Sequence, residues 1–245
     1  MEDDEYRKLA EVEDRMWYFR ALHANAMDRL LPQLASRPAR LLDAGCGTGG
    51  FIRRLAGVAP DIEVTGLDLS TLACHLARER CSARIVEGSV TALPFPDESF
   101  SAVTSLDVIY HLERPLDALA EYFRVLVPGG WVVINAPAYR WLWSYHDDAV
   151  HAQHRFTRGE LSALVRQAGF DDPRGTYWNS IPLPLIVIKR KLLGSLGDAS
   201  DVRMFPPWIE RVFNAAMAVE RAWMHRVGSL PAGCSVLLVA RKPRV

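Results

Sequence analysis

The sequence predicts an α/β fold, a mostly parallel sheet covered by helices on both faces. Three observations carry that expectation. Short apolar runs alternate with segments of helical spacing between residues 40 and 137. A glycine-rich turn follows the first run and opens the first helix of the series. An acidic residue, Asp68, ends the second run, at the sheet edge where open α/β folds bind their ligands.

The elements follow in order. Residues 5 to 31 read as helix, with Leu9, Val12, Met16, Phe19, Leu22 and Met27 at helical spacing, closed by Pro32 and Pro38. Arg40 to Gly45 is a strand running into glycines, Phe51 to Ala59 a helix, and Ile62 to Asp68 a second strand. Ser70 can cap a helix reaching about Arg80, because its hydroxyl accepts an orphan amide of the first turn. Arg84 to Glu87 and Phe100 to Leu106 are further strands. A helix over Pro115 to Leu126 stops at Pro128-Gly-Gly130, and Trp131 to Asn135 is the fifth strand. Thr157-Arg-Gly-Glu160 fits a capping box and opens a helix ending at Gly169-Phe170. Arg174 to Asn179 and Ser235 to Lys242 are the last two strands, separated by a long insert.

Composition narrows the class. The 245 residues are 49% hydrophobic and 24% charged, enough for one large domain with a substantial core. Lys+Arg 29 balances Asp+Glu 29, which removes the simplest electrostatic case for a nucleic-acid partner. The cysteines, Cys46, Cys74, Cys81 and Cys234, form no CxxC pair and read as reduced thiols. The acidic start Met1-Glu-Asp-Asp-Glu5 is unlike a secretory signal, and the apolar run Ile181 to Ile188 is too short to span a bilayer. A single soluble, cytoplasmic domain is expected.

The chemistry concentrates in the glycine turn. Gly45, Gly47 and Gly49 permit positive φ and bring bare backbone towards a ligand, and the next helix offers free amides. Asp68 can accept both hydroxyls of a ribose. Because Gly45, Gly47 and Gly50 also satisfy GxGxxG, the loop alone would serve a nicotinamide dinucleotide equally well.

A wider set of motifs resembles the class I S-adenosylmethionine-dependent methyltransferases, in the branch of small-molecule and quinone methyltransferases. These are Leu42-Asp-Ala-Gly-Cys-Gly-Thr-Gly49, Gly66-Leu-Asp-Leu-Ser70, Leu93-Pro-Phe-Pro-Asp-Glu-Ser-Phe100, Asp107-Val-Ile-Tyr-His111 and Leu126-Val-Pro-Gly-Gly130. The resemblance implies a Rossmann-like seven-stranded sheet with an antiparallel last strand. It implies S-adenosyl-L-methionine as cofactor and S-adenosyl-L-homocysteine as product. Gly45, Gly47 and Gly49 would line its methionine and ribose portions, with Asp43 and Leu106 beside them. Asp68 would hold the ribose hydroxyls and Leu69 would lie against adenine. Ser89 and Val90 would complete the adenine pocket, Ser89 standing where the family usually has an acid. Residues 1–38 would form a helical lid in which Tyr18 touches the methionine end, 40–180 and 235–242 the core, and 181–230 a helical cap.

Methyl transfer requires the acceptor held in line with the carbon–sulfur bond, reacting atoms roughly 3–3.5 Å apart, and for a hydroxyl or acidic carbon a general base. His111 follows the fourth strand beside Tyr110, a candidate acceptor contact. In Ser144-Tyr-His-Asp-Asp-Ala-Val-His-Ala-Gln-His-Arg155, His146 and His151 are the first choices for a base, with Asp147 orienting its partner imidazole. His146, Asp147, His151 and His154 also have metal-ligand chemistry, but the resemblance favours a substrate-facing loop, so no metal is expected.

In the insert, Trp208, Ile209, Val212, Phe213, Ala216, Met217, Trp223, Met224 and Val227 share helical spacing and one apolar stripe. Glu220 falls within that stripe, so it is either paired with Arg203 or Arg155 or faces the acceptor. Pro182-Leu-Pro-Leu-Ile-Val-Ile188 runs into Lys189-Arg-Lys191 and reads as a cap, with peripheral contact to a membrane surface as the alternative. The expected acceptor is an apolar small molecule: a secondary metabolite, quinone-like or lipid-like compound, methylated on oxygen, nitrogen or carbon. The rival readings are an NAD-dependent oxidoreductase, whose sheet would continue parallel, and a non-catalytic S-adenosylmethionine-binding protein without a closed acceptor cavity.

Overall fold

The apolar runs become strands: β1 (Arg40–Ala44), β2 (Glu63–Asp68), β3 (Arg84–Glu87), β4 (Phe100–Leu106), β5 (Leu126–Pro137), β6 (Asp171–Trp178) and β7 (Ser235–Arg241). The structure, a computed structural model, describes residues 3–34, 39–192 and 204–244. The strands form one sheet in the order β3-β2-β1-β4-β5-β7-β6. Pairing is parallel from β3 to β5, and β7 inserts antiparallel between β5 and β6, with Asn135 opposite Leu237.

Nine helices appear among the described residues: α1 (Asp3–Val12), α2 (Trp17–Leu34), α3 (Gly50–Ala56), α4 (Thr71–Arg80), α5 (Pro115–Val125), α6 (Tyr145–Ala149), α7 (Arg158–Gln167), α8 (Leu183–Leu192) and α9 (Pro207–Val227). The period-two alternation of β5 sorts them into layers. Val132 and Ile134 join Leu119, Tyr122 and Leu161 of α5 and α7 in one core. Val133, on the other face, joins Leu30 of α2 and Met217 of α9. The local caps form as their spacing requires. Ser70 Oγ accepts from the Ala73 amide at 3.2 Å, and Thr157 and Glu160 cap each other's backbone amides.

Four expectations need correction. The N-terminal helix is broken at Glu13–Met16, because Glu13 turns inward to Thr48 and Arg80 and Glu210 accepts the Trp17 amide at 2.9 Å. Pro32 lies inside the last turn of α2 and does not end it, while Pro38 lies outside the described residues. β5 starts at Leu126, immediately after α5, since Gly129 and Gly130 exchange backbone hydrogen bonds with Lys242.

The fourth concerns α9, which is apolar around most of its circumference. Phe213, Met217 and Met224 turn towards the core, whereas Trp208, Val212, Val219, Trp223 and Val227 are exposed.

Candidate active site

The parallel strands end together, and a cavity of about 730 Å³ opens over their carboxyl ends. Asp43, Gly45, Gly47, Asp68, Leu69, Ser89, Val90 and Leu106 line it from the sheet side. Tyr18, Tyr110, His111, His146 and Asp147 line it from the lid and the loops after β4 and β5. Phe213 and the first turn of α8 close the remaining side.

The loop after β1 folds on the carboxylate of Asp68. Its Oδ2 accepts the Gly47 amide at 2.9 Å, its Oδ1 accepts the Ser70 amide at 3.0 Å, and the Tyr6 hydroxyl approaches at 3.4 Å. Gly45 holds φ +85, and a Cβ there would run into Val108. At Gly50 a Cβ would occupy the space taken by the Glu13 carboxylate. Glu13 reaches there from the α1–α2 break, accepting from Thr48 and pairing with Arg80. Arg80 also holds Asp14 at 2.7 Å, so the α1–α2 break is bolted to the glycine loop and α4.

Burial governs the electrostatics. It raises the carboxyls of Asp68, Asp107 and Glu13 above their ordinary range and brings Asp43 to about 7, although Thr104 donates to Asp43 at 2.7 Å. It lowers His111 to about 4 and His23 to about 3, so both imidazoles are neutral near pH 7. Among the described residues the one guanidinium lining the cavity is Arg155, and Asp147 grips it bidentately at 2.7 and 3.0 Å. Among the described residues the wall is therefore rich in carboxylates, and its one guanidinium is paired. That set of carboxylates suits a positively charged sulfonium with a ribose, and adds no side-chain cation for the pyrophosphate of a dinucleotide beyond the amides of the glycine loop.

The remaining candidates are placed as follows. Leu69 is exposed at the mouth, and Ser89 bonds Thr91 Oγ1 at 2.8 Å. Gly49 lies behind the loop, where a Cβ would touch Ala77. His111 packs on Tyr110, ring centroids 3.9 Å apart. His146 is partly buried at the cavity wall.

Two expectations fail on geometry. His151 is exposed, has φ 54 and does not reach the cavity. Glu220 does not face it either: its carboxylate is buried and accepts the amides of Asn179, Ser180 and Ile181 at 2.5, 2.7 and 3.0 Å. Arg155 is committed to Asp147, whose carboxylate also accepts the Ser144 amide, and Arg203 lies outside the described residues. No group of three His, Cys, Asp or Glu side chains is placed to hold a metal among the described residues.

Sequence reasoning missed a network at the β4–β5 edge. Tyr18 donates to Asp107 Oδ2 at 2.8 Å, Asn135 to Asp107 Oδ1 at 2.7 Å, and Trp178 to Asn135 at 2.7 Å, with Tyr18 stacked on Trp178. Asp107 stood in the quoted motif; Asn135, Trp178 and the cavity-lining Asn179 carried no local signal.

Residues 42–134 match the family model described as a methyltransferase domain. That stretch carries a methyltransferase domain. The chain is 40% identical over 106 residues to the demethylmenaquinone methyltransferase of Deinococcus radiodurans, covering 41% of this chain and 44% of that protein. It is 29% identical over 214 residues to an S-adenosylmethionine-dependent methyltransferase of Mycolicibacterium smegmatis, covering 85% and 80%. Among solved structures, a methyltransferase from Thermotoga maritima superposes with a TM-score of 0.61 over 98% of this chain and 95% of that one, at 21% identity, which establishes the fold. The chain thus spans less than half the length of its quinone-modifying relative, and the antiparallel β7 separates its sheet from an all-parallel dinucleotide-binding sheet.

Proposed function

We propose that the protein transfers the methyl group of S-adenosylmethionine to an apolar small molecule bearing a hydroxyl or carbonyl group. The observation that carries this reading is the division of the cavity. Carboxylates at the ends of β1, β2 and β4 form one side, and an apolar wall from α2, α8 and α9 forms the other.

When bound, S-adenosylmethionine supplies an electrophilic methyl carbon. The protein's part is to hold, orient and exclude water. Asp68 and the Gly45–Gly49 loop hold the ribose, and Asp43 and Asp107 favour positive charge near the sulfur. The N-terminal segment acts as lid through Glu13 and Tyr18, and the insert acts as cap.

On the apolar side, the indole Nε1 of Trp17 and the amide Oδ1 of Asn179 are buried without a hydrogen-bond partner, at 7% and 4% exposure. An unpaired buried polar atom costs about 1–3 kcal/mol, so these two atoms are suited to meet polar groups of the acceptor. An indole only donates, which favours a carbonyl or hydroxyl oxygen opposite Trp17. His146, on the wall of the same cavity, is the side chain we assign to proton removal. The quinone-modifying relative fits an acceptor of this kind.

Calorimetric titration with S-adenosylmethionine, S-adenosylhomocysteine and NAD tests the reading. Binding of both sulfur nucleosides and not of NAD is expected; absence of binding by either sulfur nucleoside would overturn it.

A further inference from the structure

The outward face of α9 has no function in the cavity. Trp208, Val212, Val219, Trp223 and Val227 are exposed along it, Trp208 at 66% and Trp223 at 57%. At 1.5 Å per residue the row is about 28 Å long, too large and too regular for scattered surface apolars. The acidic residues of this helix, Glu210 and Glu220, are both buried, bound to backbone amides. The charged residues exposed on it are cationic, Arg211 and Arg226, with His225 near its end.

We infer that this face docks on the surface of an anionic phospholipid bilayer. Tryptophans among small apolar side chains, flanked by arginines, are the pattern of a helix lying in the interfacial plane. A second copy of the chain fits less well, because pairing α9 with itself brings Arg211 and Arg226 towards their own counterparts. The patch also continues to the cavity. Ile181 and Leu185 at the start of α8 are exposed, Glu220 ties that start to α9, and Leu185 lines the cavity as well. An apolar ligand leaving the bilayer there would enter without crossing water. The Lys189-Arg-Lys191 run adds basic charge in the sequence, although its side chains lie outside the described residues.

The test is co-sedimentation of the full chain with vesicles of phosphatidylcholine alone and of phosphatidylcholine with phosphatidylglycerol in equal parts, at low and high salt. Binding to the anionic vesicles, weakened by salt, is expected. The Arg211→Glu/Arg226→Glu variant should lose about fivefold in partitioning per cation removed, and more from the added acids. Trp208→Ser/Trp223→Ser should lose binding while circular dichroism and S-adenosylmethionine affinity stay unchanged, so failure of the cofactor reading is seen separately. Failure to sediment with anionic vesicles, or equal sedimentation of wild type and the tryptophan variant, overturns the inference. So does a dimer in sedimentation velocity that the same variants abolish without any vesicle binding.

Discussion

Replacing Glu220 by Gln separates a structural carboxylate from one that recognises the acceptor. In the structure its two oxygens accept backbone amides from three consecutive residues, Asn179, Ser180 and Ile181, and the side chain is 4% exposed. A glutamine keeps one acceptor oxygen and turns an NH2 group towards an amide N–H. At least one buried amide is then left unpaired, costing about 1–3 kcal/mol, and the charge assistance to the others is lost. A total near 2–4 kcal/mol is expected, which at about 2–4 °C per kcal/mol for a chain of this size lowers Tm by roughly 4–16 °C. Differential scanning calorimetry of both proteins measures this, with S-adenosylmethionine titration as a control expected to change little. An unaltered Tm, combined with lost affinity for an acceptor, would refute the assignment and return Glu220 to the binding site.

Asp68→Ala should weaken S-adenosylmethionine and S-adenosylhomocysteine equally, by about 10- to 150-fold, since both carry the same ribose; calorimetry showing a loss for only one would contradict the placement. The pH dependence of the two ligands should differ. Asp43, lifted to about 7 by burial, is largely neutral below that pH and ionised above it, and a sulfonium prefers the ionised form. Affinity for S-adenosylmethionine relative to its uncharged-sulfur product should therefore rise between pH 6 and 8, by up to about tenfold per unit on the acid side, and a constant ratio would count against Asp43. With an apolar extract as acceptor source, His146→Ala should cut release of S-adenosylhomocysteine by roughly 10²- to 10⁴-fold, while His151→Ala, whose side chain lies outside the cavity, should leave it unchanged. Equal effects of the two substitutions would remove His146 from the proton-transfer role.

What was legible in the sequence was local. The cap at Ser70 and the box Thr157/Glu160 join residues three apart, and β3 and β4 occupy the stretches their apolar runs mark. The glycine loop and Asp68 were legible because backbone clearance and an acid at a strand end leave a residue signature. The partners of buried acids were not, because they come from distant segments: Glu13 finds Arg80, Glu210 finds Trp17, and Glu220 finds the amides before α8. On α9 the hydrophobic pattern failed for a physical reason. With apolar side chains around most of the helix, spacing alone does not say which face enters the core.

The same helix ties the N-terminal segment to the start of α8. Near its start, Glu210 accepts the amides of Trp17 and Phe205, the first at the head of α2 and the second just before α9. Two to three turns on, Glu220 accepts the amides that lead into α8. Each carboxylate satisfies backbone donors that a helix entry leaves without intrahelical partners. Burying both acids also removes negative charge from the outward face of α9. Under the lid role proposed above, movement for cofactor exchange either carries α9 with it or bends at Glu13–Met16, between the Arg80 anchor and the Glu210 anchor. The second route breaks neither buried carboxylate–amide contact on α9, and it places the hinge in the one interruption of the N-terminal helical segment.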